Sequence, residues 1–135
     1  YRYWGKKCLD HFNGMFSFAI FDRKHKSLFL ARDRLGIKPL YYYQNGSEFY
    51  FASEMNALLK LKEVKKQITL EGLLSFTELG YVPQSQSIIK NVFAVQPGEK
   101  IFFKKSTITK EYYWTSPLNK FEFALHWRER IYFEQ

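Results

Sequence analysis

A chain of 135 residues with 46% hydrophobic and 25% charged side chains is long enough to bury one core and is neither disordered nor membrane-like in composition. No apolar run reaches the ~20 residues of a membrane-spanning helix, no charged-then-apolar leader opens the chain, and the single Cys8 excludes an internal disulfide, so the cytoplasm is the default compartment and no membrane partner is expected. The net charge of +8 would suit a polyanion, but the basic residues are dispersed, densest at Lys60, Lys62, Lys65, Lys66 and at Lys104, Lys105, and no nucleic-acid motif surrounds them; a solvated basic face and no nucleic-acid partner are expected.

Tyr1 to Phe12 reads as the end of a helix, with Trp4, Cys8, Leu9 and Phe12 sharing one face and Asn13-Gly14 as its stop. Met15 to Phe21 is a short, nearly continuous apolar stretch rich in aromatics, the pattern of a buried strand. The polar turn 22–26 returns the chain into a second strand, Ser27 to Ala31, making an antiparallel hairpin. Residues 32–39 form a turn in which Gly36 supplies a positive φ and Pro39 holds Lys38 out of the helical region.

Leu40 to Tyr43 and Glu48 to Ala52 flank Asn45-Gly46, a strong hairpin signal. Ser53 and Glu54 then open a helix to about Leu61, with Ser53 as its N-cap. Thr69 starts a second helix that ends at Gly80 and whose buried positions are expected to be Leu70, Leu73, Leu74 and Phe76. Ser87 to Val95, Glu99 to Lys104 and Thr107 to Trp114 read as extended, with Gln96-Pro97-Gly98 as the intervening turn. Glu122 to Gln135 reads as a short helix or a ragged tail.

Four stretches stand in one order: Asn-Gly-Met-Phe-Ser-Phe-Ala-Ile-Phe-Asp (13–22), Leu-Phe-Leu-Ala-Arg-Asp-Arg-Leu-Gly-Ile-Lys-Pro-Leu-Tyr-Tyr (28–42), Phe-Ala-Ser-Glu-Met-Asn-Ala-Leu (51–58) and Gly-Tyr-Val-Pro (80–83). Together with Pro97-Gly98 and Tyr112-Tyr113-Trp114, this composite resembles the glutamine-hydrolysing asparagine synthases. The Arg-Asp-x-x-Gly-x-x-Pro-Leu segment by itself is similar to the wider class II glutamine amidotransferases. The resemblance implies an α+β fold, a four-layer αββα sandwich of mainly antiparallel sheets of the N-terminal-nucleophile hydrolase type, here incomplete. It further implies that residues 1–114 are the C-terminal half of a class II amidotransferase domain. Residues 115–135 would be the start of a linker towards a synthetase domain, or a ragged tail.

Hydrolysing an unactivated amide requires a nucleophile, a base and donors aimed at the oxyanion. The resemblance implies that the family's N-terminal Cys, its substrate-carboxylate Arg and its oxyanion segment all lie upstream of Tyr1. No catalytic or substrate-binding residue then maps onto this chain, and the chain alone is expected to be inactive. Cys8 reads as a small buried hydrophobe, Asn13-Gly14 as a turn, and His11, His25 and His126 lack metal-ligand spacing. No Ser-Gly-Gly-x-Asp-Ser segment is present, so ATP and Mg are expected only in the parent enzyme, with no cofactor in this part.

Arg32 and Asp33 at a strand end would ordinarily be a surface ion pair of little weight. The resemblance places this loop near the glutamine pocket, with Arg32 and Asp33 bracing it, Gly36 and Pro39 fixing the turn, and Ser53 and Glu54 helping in the same way. For the parent it implies glutamine, aspartate and ATP as substrates, asparagine as product, and a homodimer as the assembly. A sugar- or peptide-amidating relative and a non-catalytic basic binding module are the alternatives.

Overall fold

The structure is a computed structural model that describes residues 1–116; the expectations for residue 117 onward, His126 included, lie outside the described residues. Its strands are β1 (Ser17–Asp22), β2 (Ser27–Arg32), β3 (Tyr41–Asn45), β4 (Glu48–Ala52), β5 (Val92–Ala94), β6 (Glu99–Lys104) and β7 (Thr107–Tyr112). They form a four-stranded sheet in the order β1-β2-β6-β7 and a three-stranded sheet in the order β4-β3-β5, both antiparallel throughout. The mixed α and β composition with antiparallel sheets is as expected.

Side-chain alternation explains how the two sheets meet. Along β2, Leu28 and Leu30 face the other sheet while Phe29 and Ala31 face outward, because successive side chains leave a strand on opposite sides. Leu30 and Ile101 thereby meet Tyr42, Leu40 and Val95 in a core shared by both sheets, and Phe49 stacks on Phe103 across it at 4.6 Å. The outward residues are also covered. Cys8, Leu9 and Phe12 pack on Phe29, Ala31 and Phe102, whereas Leu58, Val64 and Ile89 pack on Tyr43 and Val92. β1 is the outer strand of its sheet and only half-buried, with Phe21 exposed, so the apolar run Met-Phe-Ser-Phe-Ala-Ile-Phe does not mark the fully buried strand expected from the sequence.

Several elements differ from the sequence reading. The N-terminal helix is a 3-10 segment over Gly5–His11: Gly5 at φ +54° cannot continue an α-helical run from Tyr1. Cys8 and Leu9 are buried as expected, but Trp4 is exposed and stacks on His11 at 4.1 Å. The helix after β4 is a single turn, α1 (Met55–Leu58), with Glu54 rather than Ser53 at the N-cap and no side-chain cap bond. Of the extended segment 87–95 only three residues pair as strand, because Asn91 at φ +64° breaks it. The β3–β4 hairpin closes through Gly46-Ser47, with Asn45 still paired to Glu48.

The second helix, α2 (Leu70–Leu79), starts and stops as predicted. Thr69 Oγ1 accepts from the Gly72 amide at 3.1 Å, and Gly80 takes φ +76° at the C-terminus. Its buried face is not the expected one. Leu70, Leu73, Leu74 and Phe76 are exposed, and Gly72 and Ser75 are the buried positions. The backbone of Ile88 passes so close that a Cβ on Gly72 would lie 2.6 Å from its Cα, so glycine is required there.

One turn gives a direct test of the fold. Lys105 and Ser106 link β6 to β7 as a two-residue loop, and both have positive φ, +48° and +62°. That conformation suits Asn-Gly and is disfavoured for Lys and Ser. Replacing Lys105-Ser106 with Asn-Gly should stabilise the chain by about 1 kcal/mol, read as a rise in the urea midpoint; a fall would contradict this hairpin.

Candidate functional site

The segment between β2 and β3 is the best-determined polar structure among the described residues. Asp33, 1% exposed, spends both carboxylate oxygens on its own loop. Oδ1 accepts from the amides of Leu35 at 3.1 Å and Ile37 at 3.0 Å, and Oδ2 accepts from the Lys38 amide at 2.9 Å. Its backbone ties the loop to two distant segments: the amide donates to the Phe16 carbonyl, and the carbonyl accepts from Gly98 as well as from Gly36 within the turn. Burial alone would push the carboxyl up, but the amides of Lys38, Ile37 and Leu35 outweigh it and hold Asp33 below the usual carboxylate range.

Arg32, 4% exposed, is held in the same manner with opposite sign. Its Nε donates to the Lys38 carbonyl at 2.8 Å, Nη2 to the Gly36 carbonyl at 2.6 Å, and Nη1 to the Val95 carbonyl at 2.7 Å and to Gln84 Oε1 at 3.0 Å. Burial lowers the guanidinium pKa, and neighbouring Asp33 opposes that shift. Among the described residues these two make no ion pair with each other. The sequence reading of a surface pair therefore fails: both charges are buried, and backbone groups satisfy each separately.

The loop is locked from outside by the C-terminal strands. A Cβ on Gly36 would lie 2.7 Å from Pro97 Cγ and 3.3 Å from the Arg32 guanidinium carbon, so the turn needs glycine for space as well as for its φ of +67°. Gly98 is as tightly placed, 2.3 Å from the Trp114 carbonyl by the same measure. The Tyr113 hydroxyl donates to the Arg32 carbonyl at 2.8 Å, and burial pushes its pKa to about 12. Pro39, itself exposed, accepts at its carbonyl from Ser17 Oγ at 3.1 Å. Leu35 and Ile37 project into solvent at the tip, while Arg34 Nε is buried without a hydrogen-bond partner.

Ser53 and Glu54 are exposed and lie just past the Tyr41–Ala52 pair, at the end of β4 beside which β3 begins. No side-chain bond joins them to the loop. The structure thus brings Arg32, Asp33, Gly36 and Pro39 into one assembly and leaves Ser53 and Glu54 at its margin. Gln84, Gly98 and Tyr113 complete the assembly and escaped sequence reasoning as site residues. Pro-Gly and Tyr-Tyr-Trp are visible in the sequence, but nothing in it says that they close on a loop 60 to 80 residues earlier.

Elsewhere, Cys8 is fully buried among Leu9, Phe29 and Ala31, consistent with a small core hydrophobe. His25 pairs with Asp22 at 2.8 Å, and this bond holds the Asp22 carboxyl low. Among the described residues no group of three His, Cys, Asp or Glu comes together to hold a metal, and no helix is long and apolar enough to cross a membrane. A cavity of about 730 Å³ on the outer face of the four-stranded sheet is lined by Arg2, Lys6, His25, Lys104 and Phe102, with Lys6 Nζ 3.5 Å from the Phe102 ring centre. Basic residues that are dispersed in the sequence are partly gathered here.

The loop chemistry has a definite pH signature. Asp33 has its folded pKa below its unfolded value, near 3.9. Its contribution is therefore complete above about pH 4 and is lost as pH falls through the folded pKa. Asp33→Ala, which strands three amides, should cost on the order of 3 kcal/mol at pH 7. In urea unfolding at a series of pH values, the gap between wild type and variant should narrow below about pH 4; a gap that does not change with pH would rule out the ionised, amide-bound carboxylate.

A family model described as "Glutamine amidotransferase domain" matches residues 1–114. The chain is 41% identical over 121 residues to a putative glutamine-hydrolysing asparagine synthetase 2 of Methanocaldococcus jannaschii, covering 87% of this chain and 24% of that protein. It is 37% identical over 115 residues to the glutamine-hydrolysing asparagine synthetase 3 of Bacillus subtilis, covering 84% of this chain and 19% of the relative. Against asparagine synthetase B of Escherichia coli the match is 40% over 68 residues. The chain spans about a quarter or less of the length of these curated relatives. With the match extending over most of its length and including the Arg32–Pro39 loop, the chain belongs to the glutamine amidotransferase domain family.

Proposed function

We propose that this chain is the C-terminal half of the glutaminase domain of a glutamine-hydrolysing asparagine synthase, with the two packed sheets forming part of a four-layer N-terminal-nucleophile hydrolase sandwich. In the parent enzyme this domain hydrolyses glutamine, and the ammonia reaches a second domain where ATP, with Mg, activates aspartate as an acyl-adenylate. Asparagine, glutamate, AMP and pyrophosphate are the products. ATP and Mg are assigned to that second domain. The parent is read as a cytoplasmic homodimer.

The observation that carries the reading is the Arg32–Asp33 loop, two buried charges held by backbone amides and carbonyls of the turn and of Val95 and by the Gln84 side chain. Asp33 is 1% exposed with both oxygens engaged, so it is a brace and not a base. Its role is to hold the wall of a pocket whose nucleophile, an N-terminal Cys using its own α-amine as base, comes from the preceding half of the domain.

In the full-length parent, Asp33→Ala should lower glutamine-dependent asparagine formation about 10- to 100-fold, as expected for misplaced catalytic geometry, and leave ammonia-dependent formation near wild type. Steady-state assays with glutamine and with ammonium as nitrogen source check this; equal loss of both refutes the bracing role.

The basic cavity around Lys6 and Lys104 favours one second reading, a polyanion-binding module. Fluorescence titration with single-stranded and duplex DNA at 50 and 200 mM salt separates the two. The amidotransferase reading expects no binding tighter than the micromolar range of non-specific contacts, about 10⁻⁶ M; tight binding lost at the higher salt would favour the module.

A further inference from the structure

The peptide unit that joins Arg32 to Asp33 is held at both of its polar ends. Its N–H, on Asp33, donates to the Phe16 carbonyl at 2.8 Å and so continues the β1–β2 ladder one step past the Ser17–Arg32 pair. In a trans peptide the carbonyl points the opposite way, here towards β6, because β2 lies between β1 and β6. The pairing of β2 with β6 stops at Ala31–Lys100, so the ladder supplies no donor to the Arg32 carbonyl. A side chain takes that place: the Tyr113 hydroxyl donates to it at 2.8 Å.

The phenol is delivered there by its own backbone and ring. Tyr113 directly follows β7, and its amide donates to the Gly98 carbonyl at 2.9 Å. Its ring stacks with Phe16 at 6.5 Å, so the residue that holds one end of the peptide packs on the residue that holds the other. Burial, with the Asp33 charge adding to it, raises the phenol pKa to about 12, and the hydroxyl therefore stays a donor throughout the neutral range. Among the described residues this is the one side-chain bond to the main chain of Arg32 or Asp33; the other ties to it are main chain.

We propose that the Tyr113 hydroxyl is a positioning group for glutamine hydrolysis in the parent enzyme, fixing the peptide from which the Arg32 and Asp33 side chains both spring; the inference rests on the reading given under Proposed function. Turning that peptide would carry the guanidinium off the Gly36 and Val95 carbonyls and the carboxylate off the amides of Leu35, Ile37 and Lys38 in one movement. Tyr113 acts through the loop and not on a reacting atom, so its loss reads out on glutamine and spares ammonia.

Tyr113→Phe in the full-length parent removes one oxygen and keeps the stacked ring. Its kcat/KM for glutamine should fall about 3- to 10-fold, the weight of one hydrogen bond, mainly through a higher KM for glutamine. Ammonia-dependent kcat and the KM values for ammonium, aspartate and ATP should stay at wild type, as should every constant of Tyr112→Phe, an exposed neighbour outside the loop. A merely structural role lowers the amount of folded enzyme, which scales down both activities and leaves the glutamine KM alone; that result overturns the inference, as does wild-type behaviour with glutamine. 4-Aminophenylalanine at position 113 returns an N–H donor to the same place and should bring the glutamine KM back towards wild type; a KM no better than that of Tyr113→Phe overturns it. A wild-type parent that does not hydrolyse glutamine ends the functional reading, and hydrogen exchange then decides the clamp by itself. Faster exchange across residues 30–38 in Tyr113→Phe supports the clamp, and unchanged exchange overturns it.

Discussion

The fold around the loop depends on how two adjacent, oppositely charged residues are buried without touching each other. Moving a carboxylate or a guanidinium out of water is costly unless its hydrogen-bonding capacity is filled. Asp33 is filled by three amides of the turn that follows it, and Arg32 by three carbonyls and a side-chain amide. Because the partners are mostly main chain, the arrangement fixes the path of the backbone as well as the side chains. Lys38 is gripped twice, its amide by Asp33 and its carbonyl by Arg32, so the loop has little freedom to take another shape.

The sandwich makes that arrangement possible. A core shared by the two sheets brings β2 and β6 side by side and sets Val95, at the end of β5, against Leu40. The turn at Pro97 and Gly98 is thereby carried to the 33–36 loop, and Tyr113 is carried to the Arg32 carbonyl. Two glycines mark where the C-terminal segments press on this loop and its turn, Gly36 against the Pro97 ring and Gly98 against the Trp114 carbonyl. Local turn chemistry and long-range pairing therefore specify the same loop shape, the consistency expected of a functional element built on a rigid scaffold.

Much of this is legible in the sequence, for identifiable reasons. Five of the seven strands carry short-range signals, either aromatic runs bounded by polar turns or the Asn-Gly and Pro-Gly punctuation, and these are found close to where they are expected. The two helix boundaries of α2 follow from Thr69 and Gly80, residues whose effect is local. What fails is the inference of which face is buried. Periodicity identifies Leu70, Leu73 and Leu74 as a stripe, but it cannot say whether the covering surface lies within the same piece of chain. The ion-pair reading of Arg32 and Asp33 fails for a related cause, since adjacency in sequence says nothing of the carbonyls and amides that each side chain meets in space. Gln84, Gly98 and Tyr113 act through closures spanning 52 to 81 residues, and no local pattern reveals those.

The exposed leucines of α2 and the internally satisfied loop express one division of labour. The loop satisfies the Arg32 and Asp33 charges mainly with main-chain groups, whereas α2 presents apolar surface that the described residues leave uncovered. All of this requires Asp33 to be ionised and bound by the loop amides. The most direct test is a ¹³C NMR titration of its side-chain carboxyl in the folded chain. A midpoint clearly below that of an ordinary aspartate, with the Ile37 and Lys38 amide resonances shifting in the same step, is the predicted result; a midpoint at or above the ordinary value would contradict it.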